Sequence, residues 1–241
     1  MELETLQIAL IIAGISLGFY VQTVAGFGSA LLALPVLLTT LGLQEAVALI
    51  SVFFFLFSCY QVFKNRKLAD RDTVIKLIVG IALGLVAGIL LLKYGRPLIL
   101  KKGLGVFILI YVGYLLLKQK KIAWFDKFGL FFGFGSGFFS GLFSTGGPLC
   151  VVYVYNKMFN ADVFRATVIV VLGLTDFIKL PLLIFSGILT PSVLLTALYV
   201  LPFFLLAIFL GQKTYKRINE DVFRKILMVL LVLSGVFLII R

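Results

Sequence analysis

The stretch GLFSTGGPLC (residues 141–150) lies within a run that carries no charged side chain from residue 128 to residue 156. Gly146, Gly147 and Pro148 disfavour a continuous helix there. Glycine raises the entropic cost of ordering the backbone, and proline lacks an amide hydrogen and clashes with the preceding turn. If the run enters a membrane, its helix is broken at depth, where unpaired backbone groups are tolerated only against protein or a water-filled cavity.

The composition is that of a polytopic membrane protein. Of the 241 residues, 62% are hydrophobic, 13% are charged and none is histidine. Segments near or above the length that crosses a hydrocarbon core recur along the chain. They are residues 5–41, 44–63, 74–93, 98–117, 128–156, 166–186, 191–211 and 222–240. The net charge of +12 comes from bases clustered in short loops, so we expect a lipid bilayer as the partner and no nucleic acid.

The loop charges indicate how the chain crosses the membrane. If every segment crosses once, the Lys and Arg side chains of the loops and carboxyl terminus divide 10 to 11 between the two sides. If 5–41 and 128–156 each enter and return as a hairpin of two helices broken in the middle, the division becomes 16 to 5. Loops on the cytoplasmic side are normally enriched in these residues. We therefore predict two broken-helix hairpins and an amino terminus on the outside.

The hairpins predict an internal two-fold repeat. Each half becomes a broken-helix hairpin plus three transmembrane helices, an odd number of crossings, so the second half is inverted relative to the first. The predicted repeats are 1–120 and 121–241, within one all-α integral membrane domain. GFGSALLALP (26–35) and TGGPLCVVYV (145–154) are their corresponding segments. Inverted repeats with discontinuous helices at the centre are typical of secondary transporters.

The two breaks are the candidate substrate sites. Pro148 suits the first turn of a returning helix, whose free amides and positive dipole end favour an anion. Gly146 and Gly147 allow a sharp turn and close approach of a ligand, and Ser29 is available as a helix cap in the first half. The predicted substrate-binding residues are Gly26, Phe27, Gly28, Ser29, Ser144, Thr145, Gly146, Gly147 and Pro148, with Gln22, Thr23 and Cys150 as further lining residues.

Close helix packing is the alternative role of small residues in membrane helices. It is the better interpretation of Gly133, Gly135, Gly137 and Gly141. Cys150 likewise fits a small buried position, and with Cys59 it shows no disulfide or metal-ligand spacing.

Asp176 and Lys179 are charged residues inside a predicted span. A charge at a helix centre costs about 2.5–3.5 kcal/mol, so both must face protein or water. Their i, i+3 spacing places them on one helix face, where they can pair. Either Asp176 couples transport to protons or a cation and Lys179 contacts an anion, or the two form a structural ion pair.

An integral-membrane enzyme is disfavoured. Without histidine, and with one carboxylate well inside a span, acid–base and metal chemistry lack the necessary groups. We therefore expect a transporter that needs no cofactor or metal. A passive anion channel built from the same motifs is the open alternative.

Two segments, GFGSALLALPVLL (26–38) and GLFSTGGPLCVVYVY (141–155), resemble the paired glycine-rich motifs of the sulfite exporter TauE/SafE family, also called the TSUP family. The resemblance covers essentially the whole chain. It implies two pseudo-symmetric halves whose motifs meet in the middle. It also implies a permease for small, often sulfur-containing anions, such as sulfite or sulfonates, in the cytoplasmic membrane. On this chain it points to Gly26, Gly28, Ser29, Gly146, Gly147 and Pro148. Ser29 stands where many members continue with glycine, and Cys150 alone lies near a motif, which disfavours thiosulfate.

Overall fold

The computed structural model describes residues 2–25, 28–116, 128–158, 160–215, 229, 231–233 and 235–239. Within these residues the chain is helical and has no β-strand. The helices are α1 (Glu2–Ala25), α2 (Ser29–Leu37), α3 (Leu43–Asn65), α4 (Arg71–Tyr94), α5 (Pro97–Leu116), α6 (Gly129–Phe143), α7 (Gly147–Lys157), α8 (Ala161–Phe185) and α9 (Pro191–Tyr215). In this part of the chain α1, α3, α4, α8 and α9 are long and apolar enough to cross a membrane. The predicted all-α, multi-pass membrane architecture is confirmed.

Both predicted helix breaks are present. The segment 5–41 divides into α1 and α2, and the segment 128–156 divides into α6 and α7. The returning helices α2 and α7 have 9 and 11 residues. At a rise of about 1.5 Å per residue, each reaches only about half of a ~30 Å hydrocarbon core. They are therefore short returning helices and not complete spans.

The chain forms two compact units. One comprises Met1–Ile50, Gly95–Lys118 and Pro191–Arg241, and the other comprises Ser51–Tyr94 and Gln119–Thr190. Each unit combines residues from both predicted sequence repeats. The repeat boundary at residue 120 and the inversion of the second half stay predictions.

In the first unit α2 folds back along α1. A Cβ atom placed on Gly18 would lie 2.8 Å from the carbonyl oxygen of Ser29, and one placed on Gly14 would lie 3.2 Å from Cγ1 of Val36. Later positions in α2 thus contact earlier positions in α1. The two helices form the antiparallel hairpin that the sequence predicts. Because Gly14 and Gly18 of α1 have no side chain, the two helices can approach closely.

The second unit contains the other hairpin. A Cβ atom on Gly135 of α6 would lie 3.0 Å from Cδ1 of Leu149, and one on Gly129 would lie 2.6 Å from the hydroxyl of Tyr153. The order of these contacts is again antiparallel. The hairpin prediction for residues 128–156 is therefore confirmed.

Small residues bring α4 and α6 into backbone contact within the second unit. One face of α4 carries Gly80, Gly84 and Gly88. This face contacts the backbone of α6 close to the glycines of α6. The α6 glycines that face α4 are Gly133, Gly137 and Gly141, as the packing interpretation predicts. A side chain on this face would enter the backbone of the neighbouring helix.

We expect Gly84→Ala to lower the stability of the protein by about 1–3 kcal/mol, because overpacking forces the backbones apart. The added Cβ atom would lie 2.7 Å from the amide nitrogen of Phe138 and closer still to the carbonyl oxygen of Phe134. Thermal unfolding in detergent measures the effect. Gly103→Ala is the matched control, since no atom lies within 4 Å of the Cβ that it adds. Equal melting temperatures for the two variants would contradict this packing.

Asp70 connects three helices of the second unit. Its carboxylate accepts a bond from the amide of Thr73 at 2.9 Å, which caps α4, and its own amide donates to Thr167 Oγ1 at 3.0 Å. Lys157 Nζ lies 3.8 Å from the same carboxylate. Hydrogen bonding by Thr73 lowers the pKa of Asp70, partial burial opposes this, and the charges of Lys157 and Lys76 assist it. The start of α4 is thereby attached to α7 and α8.

Candidate functional site

The break between α6 and α7 is built around Ser144. This residue has φ 59° and ψ 22°, the left-handed conformation, and it is the non-glycine residue with positive φ in the described part of the chain. Its amide donates to the carbonyl of Ser140 at 2.9 Å, and the amide of Thr145 donates to Phe139 at 3.2 Å. Since Pro148 has no amide hydrogen, the carbonyl of Ser144 has no helical donor four residues on. The chain therefore leaves α6 at Ser144 and restarts at Gly147.

Gly146 has a role that differs from the predicted one. Gly146 has φ −69° and ψ −16°, an ordinary helical conformation, so the sharp turn is not made there. A Cβ atom on Gly146 would instead meet the carbonyl oxygen of Ser136 and lie 2.8 Å from Cβ of Ser140. Ser136 Oγ also donates to the Gly146 carbonyl at 2.8 Å. Gly146 is thus a packing residue that holds the break against α6.

Gly147 faces more open space. It is half-buried, whereas Ser144, Thr145 and Gly146 before it are buried. A Cβ atom on Gly147 would have its nearest neighbour, Cδ1 of Leu172, at 3.7 Å, an ordinary contact distance. The backbone at the start of α7 can therefore be approached by a small ligand.

Several hydrogen-bond donors at the break have no partner within the described residues. The amides of Gly146 and Gly147 donate to no acceptor among the described residues, as is normal for the first residues of a helix. The hydroxyl of Thr145 is also without a partner within this part of the chain, although the residue is only 3% exposed. A buried polar group without a partner costs about 1–3 kcal/mol. Together with the positive end of α7, these donors favour an anion.

A buried lysine lies at the same break. Lys179 of α8 is 1% exposed, and its ammonium donates to Ser144 Oγ at 2.5 Å. Ser51 Oγ of α3 lies 3.4 Å from the same hydroxyl. The left-handed residue of the break is therefore linked to α3 and to α8, and the amino group of a buried lysine lies beside it.

Asp176 occupies a separate polar contact. Its carboxylate accepts a hydrogen bond from Ser58 Oγ at 2.6 Å, and the residue is 8% exposed. The ion pair recorded within the described residues is Lys157–Asp70, so Asp176 and Lys179 do not contact each other directly. Each bonds a serine of another element in place of its i, i+3 neighbour.

Sequence reasoning missed Ser51, Ser58 and Ser136. Each is a single hydroxyl in an apolar helix, and nothing in its spacing distinguishes it from a serine that bonds its own helix backbone. The pairing of Ser58 with Asp176 joins residues 118 positions apart. Only the tertiary structure brings these groups together.

The first break has a different local structure. Gly28, with φ 96° and ψ 3°, occupies the cap position of α2. The predicted cap by Ser29 is wrong: this buried residue begins α2, and its hydroxyl donates across the break to Oε1 of Gln22. Thr23 Oγ1 bonds the carbonyl of Phe19 in its own helix at 2.7 Å. The positive φ explains the glycine at 28, because other residues rarely adopt it.

Gly26, Phe27 and Cys150 are also among the predicted site residues. Gly26 and Phe27 lie outside the described residues. Cys150 is fully buried in an apolar cluster with Leu85 and Val171, among others, which is the packing role that the sequence analysis left open. No group of three or more Cys, Asp or Glu side chains in the described ranges is arranged to hold a metal ion.

Comparison with known protein families identifies the family of the chain. The family described as sulfite exporter TauE/SafE matches residues 10–238. The chain belongs to the sulfite exporter TauE/SafE family. Comparison with curated proteins and with solved structures gives no match. This TauE/SafE protein is therefore a membrane transporter of the sulfite-exporter type, and the family resemblance predicted from its two glycine-rich motifs is confirmed.

Proposed function

We propose that this TauE/SafE protein is a secondary transporter of small anions, such as sulfite or sulfonates, across the cytoplasmic membrane. The observation that carries the proposal is the α6–α7 break. Within the described residues, the amides of Gly146 and Gly147 have no acceptor there, the hydroxyl of Thr145 has no partner, and the ammonium of Lys179 contacts Ser144. All are donors, and donors at a helix start favour oxyanions. The family supports sulfur oxyanions as the substrate class.

The transport step follows from the broken helices. Each returning helix directs its first amides and the positive end of its dipole towards the break. We propose that the anion binds there and that movement of the two inverted repeats exposes it alternately to the two sides, with the amino terminus outside. Both breaks belong to this proposal, so Gly26, Phe27, Gly28 and Ser29 stay proposed substrate-binding residues.

Charge compensation is the second part of the proposal. An anion that moves alone across the membrane does electrical work of about 2.3 kcal/mol per charge at 100 mV. Asp176 is a buried carboxylate on the helix that carries Lys179. We propose that Asp176 exchanges a proton during the cycle and so couples anion flux to the proton gradient.

Proteoliposomes that contain the purified protein test the function. We expect uptake of radiolabelled sulfite or methanesulfonate against its concentration gradient when a proton gradient is imposed. Empty vesicles and vesicles treated with a protonophore are the controls. Flux that only equilibrates the anion would indicate the passive channel in place of a carrier. Absence of flux for every small sulfur oxyanion would contradict the proposal.

A further inference from the structure

Lys179 retains unused hydrogen-bonding capacity. A lysine ammonium has three N–H donors, and this one donates to Ser144 Oγ and to no other described group. The nearest carboxylate on its own helix, that of Asp176, accepts from Ser58 and makes no direct ion pair with it. A buried charge is costly unless it is paired and hydrogen-bonded. Two N–H groups of a buried cation are thus available to a ligand.

Other donors lie beside this cation. Ser144 holds the ammonium, Thr145 follows with a buried hydroxyl that has no partner within the described residues, and the free amides of Gly146 and Gly147 come next. Residues 145–147 and the lysine that contacts Ser144 therefore supply three kinds of donor. These are a hydroxyl, backbone amides and an ammonium. None of these groups carries a negative charge.

The α8 face that carries Lys179 is turned towards the break. Leu172 and Lys179 are seven residues apart and so lie on one side of α8. Leu172 is the nearest neighbour of a Cβ atom placed on Gly147, and Lys179 contacts Ser144. One helix face thus contacts the beginning and the end of the break. This geometry places Leu172 beside the start of α7 and the Lys179 ammonium beside Ser144, where α6 ends.

We infer that Lys179 is the charged ligand of the anion at the α6–α7 break, and that the site selects singly charged oxyanions over doubly charged ones. The inference rests on the proposed function and adds the charge class of its substrate. A helix start supplies only about half a unit charge, whereas a protonated Lys179 supplies a full one. When Asp176 carries the proton that we propose it exchanges, one monoanion balances one lysine, and the second charge of a dianion meets only dipoles. When Asp176 is ionised, it offsets the lysine charge and disfavours a dianion further.

Binding to the purified, full-length protein tests the inference separately from transport. Isothermal titration compares methanesulfonate, a monoanion, with sulfate, a dianion, at matched ionic strength. We expect the wild type to bind methanesulfonate at least about tenfold more tightly than sulfate. Lys179→Met keeps an unbranched apolar side chain but removes the charge. It should weaken methanesulfonate binding by roughly thirtyfold or more, as expected when a buried charged partner is lost.

Two further variants make the result decisive. Lys157→Met removes the charge of a lysine that pairs with Asp70, and it should leave methanesulfonate affinity unchanged. Ser144→Gly suits the left-handed backbone and removes only the hydroxyl that holds the ammonium, so it serves if Lys179→Met does not fold. It should weaken methanesulfonate binding severalfold.

Each outcome has a distinct meaning. Wild-type affinity in Lys179→Met, or in Ser144→Gly if the first variant does not fold, would overturn the role of Lys179. Equal binding of sulfate and methanesulfonate by the wild type would overturn the charge selection. In both cases anion flux through wild-type proteoliposomes would leave the proposed function standing. A wild type that neither binds nor transports any sulfur oxyanion would overturn the proposed function, and the inference with it.

Discussion

Replacing Gly147 by leucine should reduce anion flux in proteoliposomes to the level of empty vesicles while the protein still folds and inserts. Gly147 is half-buried at the start of α7, and a Cβ atom there has its nearest neighbour at 3.7 Å. The first carbon of the new side chain therefore fits without moving the backbone. We expect the rest of the isobutyl group to take up space beside the Gly147 amide, where we propose that the anion binds.

Gly147→Ala is the matched control for this substitution. It adds one methyl group at an ordinary contact distance, and alanine favours the helix over glycine by about 1 kcal/mol. We expect Gly147→Ala to retain flux and Gly147→Leu to lose it, with similar melting temperatures for the two proteins. Normal flux through Gly147→Leu would remove the start of α7 from the site. A large drop in melting temperature for Gly147→Leu alone would instead assign Gly147 to packing.

Replacing Asp176 by asparagine should abolish the pH dependence of anion flux. Asparagine is close to aspartate in shape and can still accept the hydrogen bond from Ser58, but it cannot exchange a proton. Uptake driven by an imposed proton gradient should therefore fall to the rate seen without a gradient. Methanesulfonate binding, which we assign to Lys179 and the break, should persist.

Measurements of flux over a range of pH, with wild type and Asp176→Asn in parallel, test this coupling. Ser58→Ala is a useful companion because it removes the hydroxyl that bonds the carboxylate and leaves the carboxylate in place. We expect Ser58→Ala to shift the pH profile and Asp176→Asn to flatten it. A wild type whose flux does not change with pH would make Asp176 a structural residue.

Much of the fold was predictable because it depends on local chemistry. Pro148 and the adjacent glycines predict a helix break in water and in a membrane alike. The balance of loop charges further predicts that this segment returns to the side of the membrane from which it enters. The helices α6 and α7 and their antiparallel contacts follow this prediction. Of the four α6 glycines that the sequence assigns to close packing, Gly133, Gly137 and Gly141 face the backbone of α4, and Gly135 faces Leu149 of α7.

The details of the site were less predictable because tertiary contacts decide them. The left-handed turn falls on Ser144 and not on a glycine, and Gly146 has helical backbone angles and instead makes room for Ser136. The i, i+3 rule predicts that Asp176 and Lys179 can pair, but serines from other elements bond each of them. A propensity or a spacing describes one helix, whereas these partners come from another part of the chain.

The break between α6 and α7 also explains how a buried lysine is placed. Lys179 lies 35 residues from Ser144 in sequence, yet the two are in hydrogen-bond contact. A continuous helix over residues 129–157 would leave neither free amides nor a left-handed residue to receive the ammonium. The interruption that the sequence shows at residues 144–148 is thus the feature on which the proposed anion site depends.

The most direct test is a crystal structure of the protein with 2-bromoethanesulfonate, whose bromine gives an anomalous signal. A bromine peak beside the start of α7, with sulfonate oxygens within hydrogen-bond distance of the Gly147 amide and the Lys179 ammonium, is the predicted result. A bromine peak at a different place, with the Gly147 amide and the ammonium making no contact to the bound sulfonate, would contradict the account.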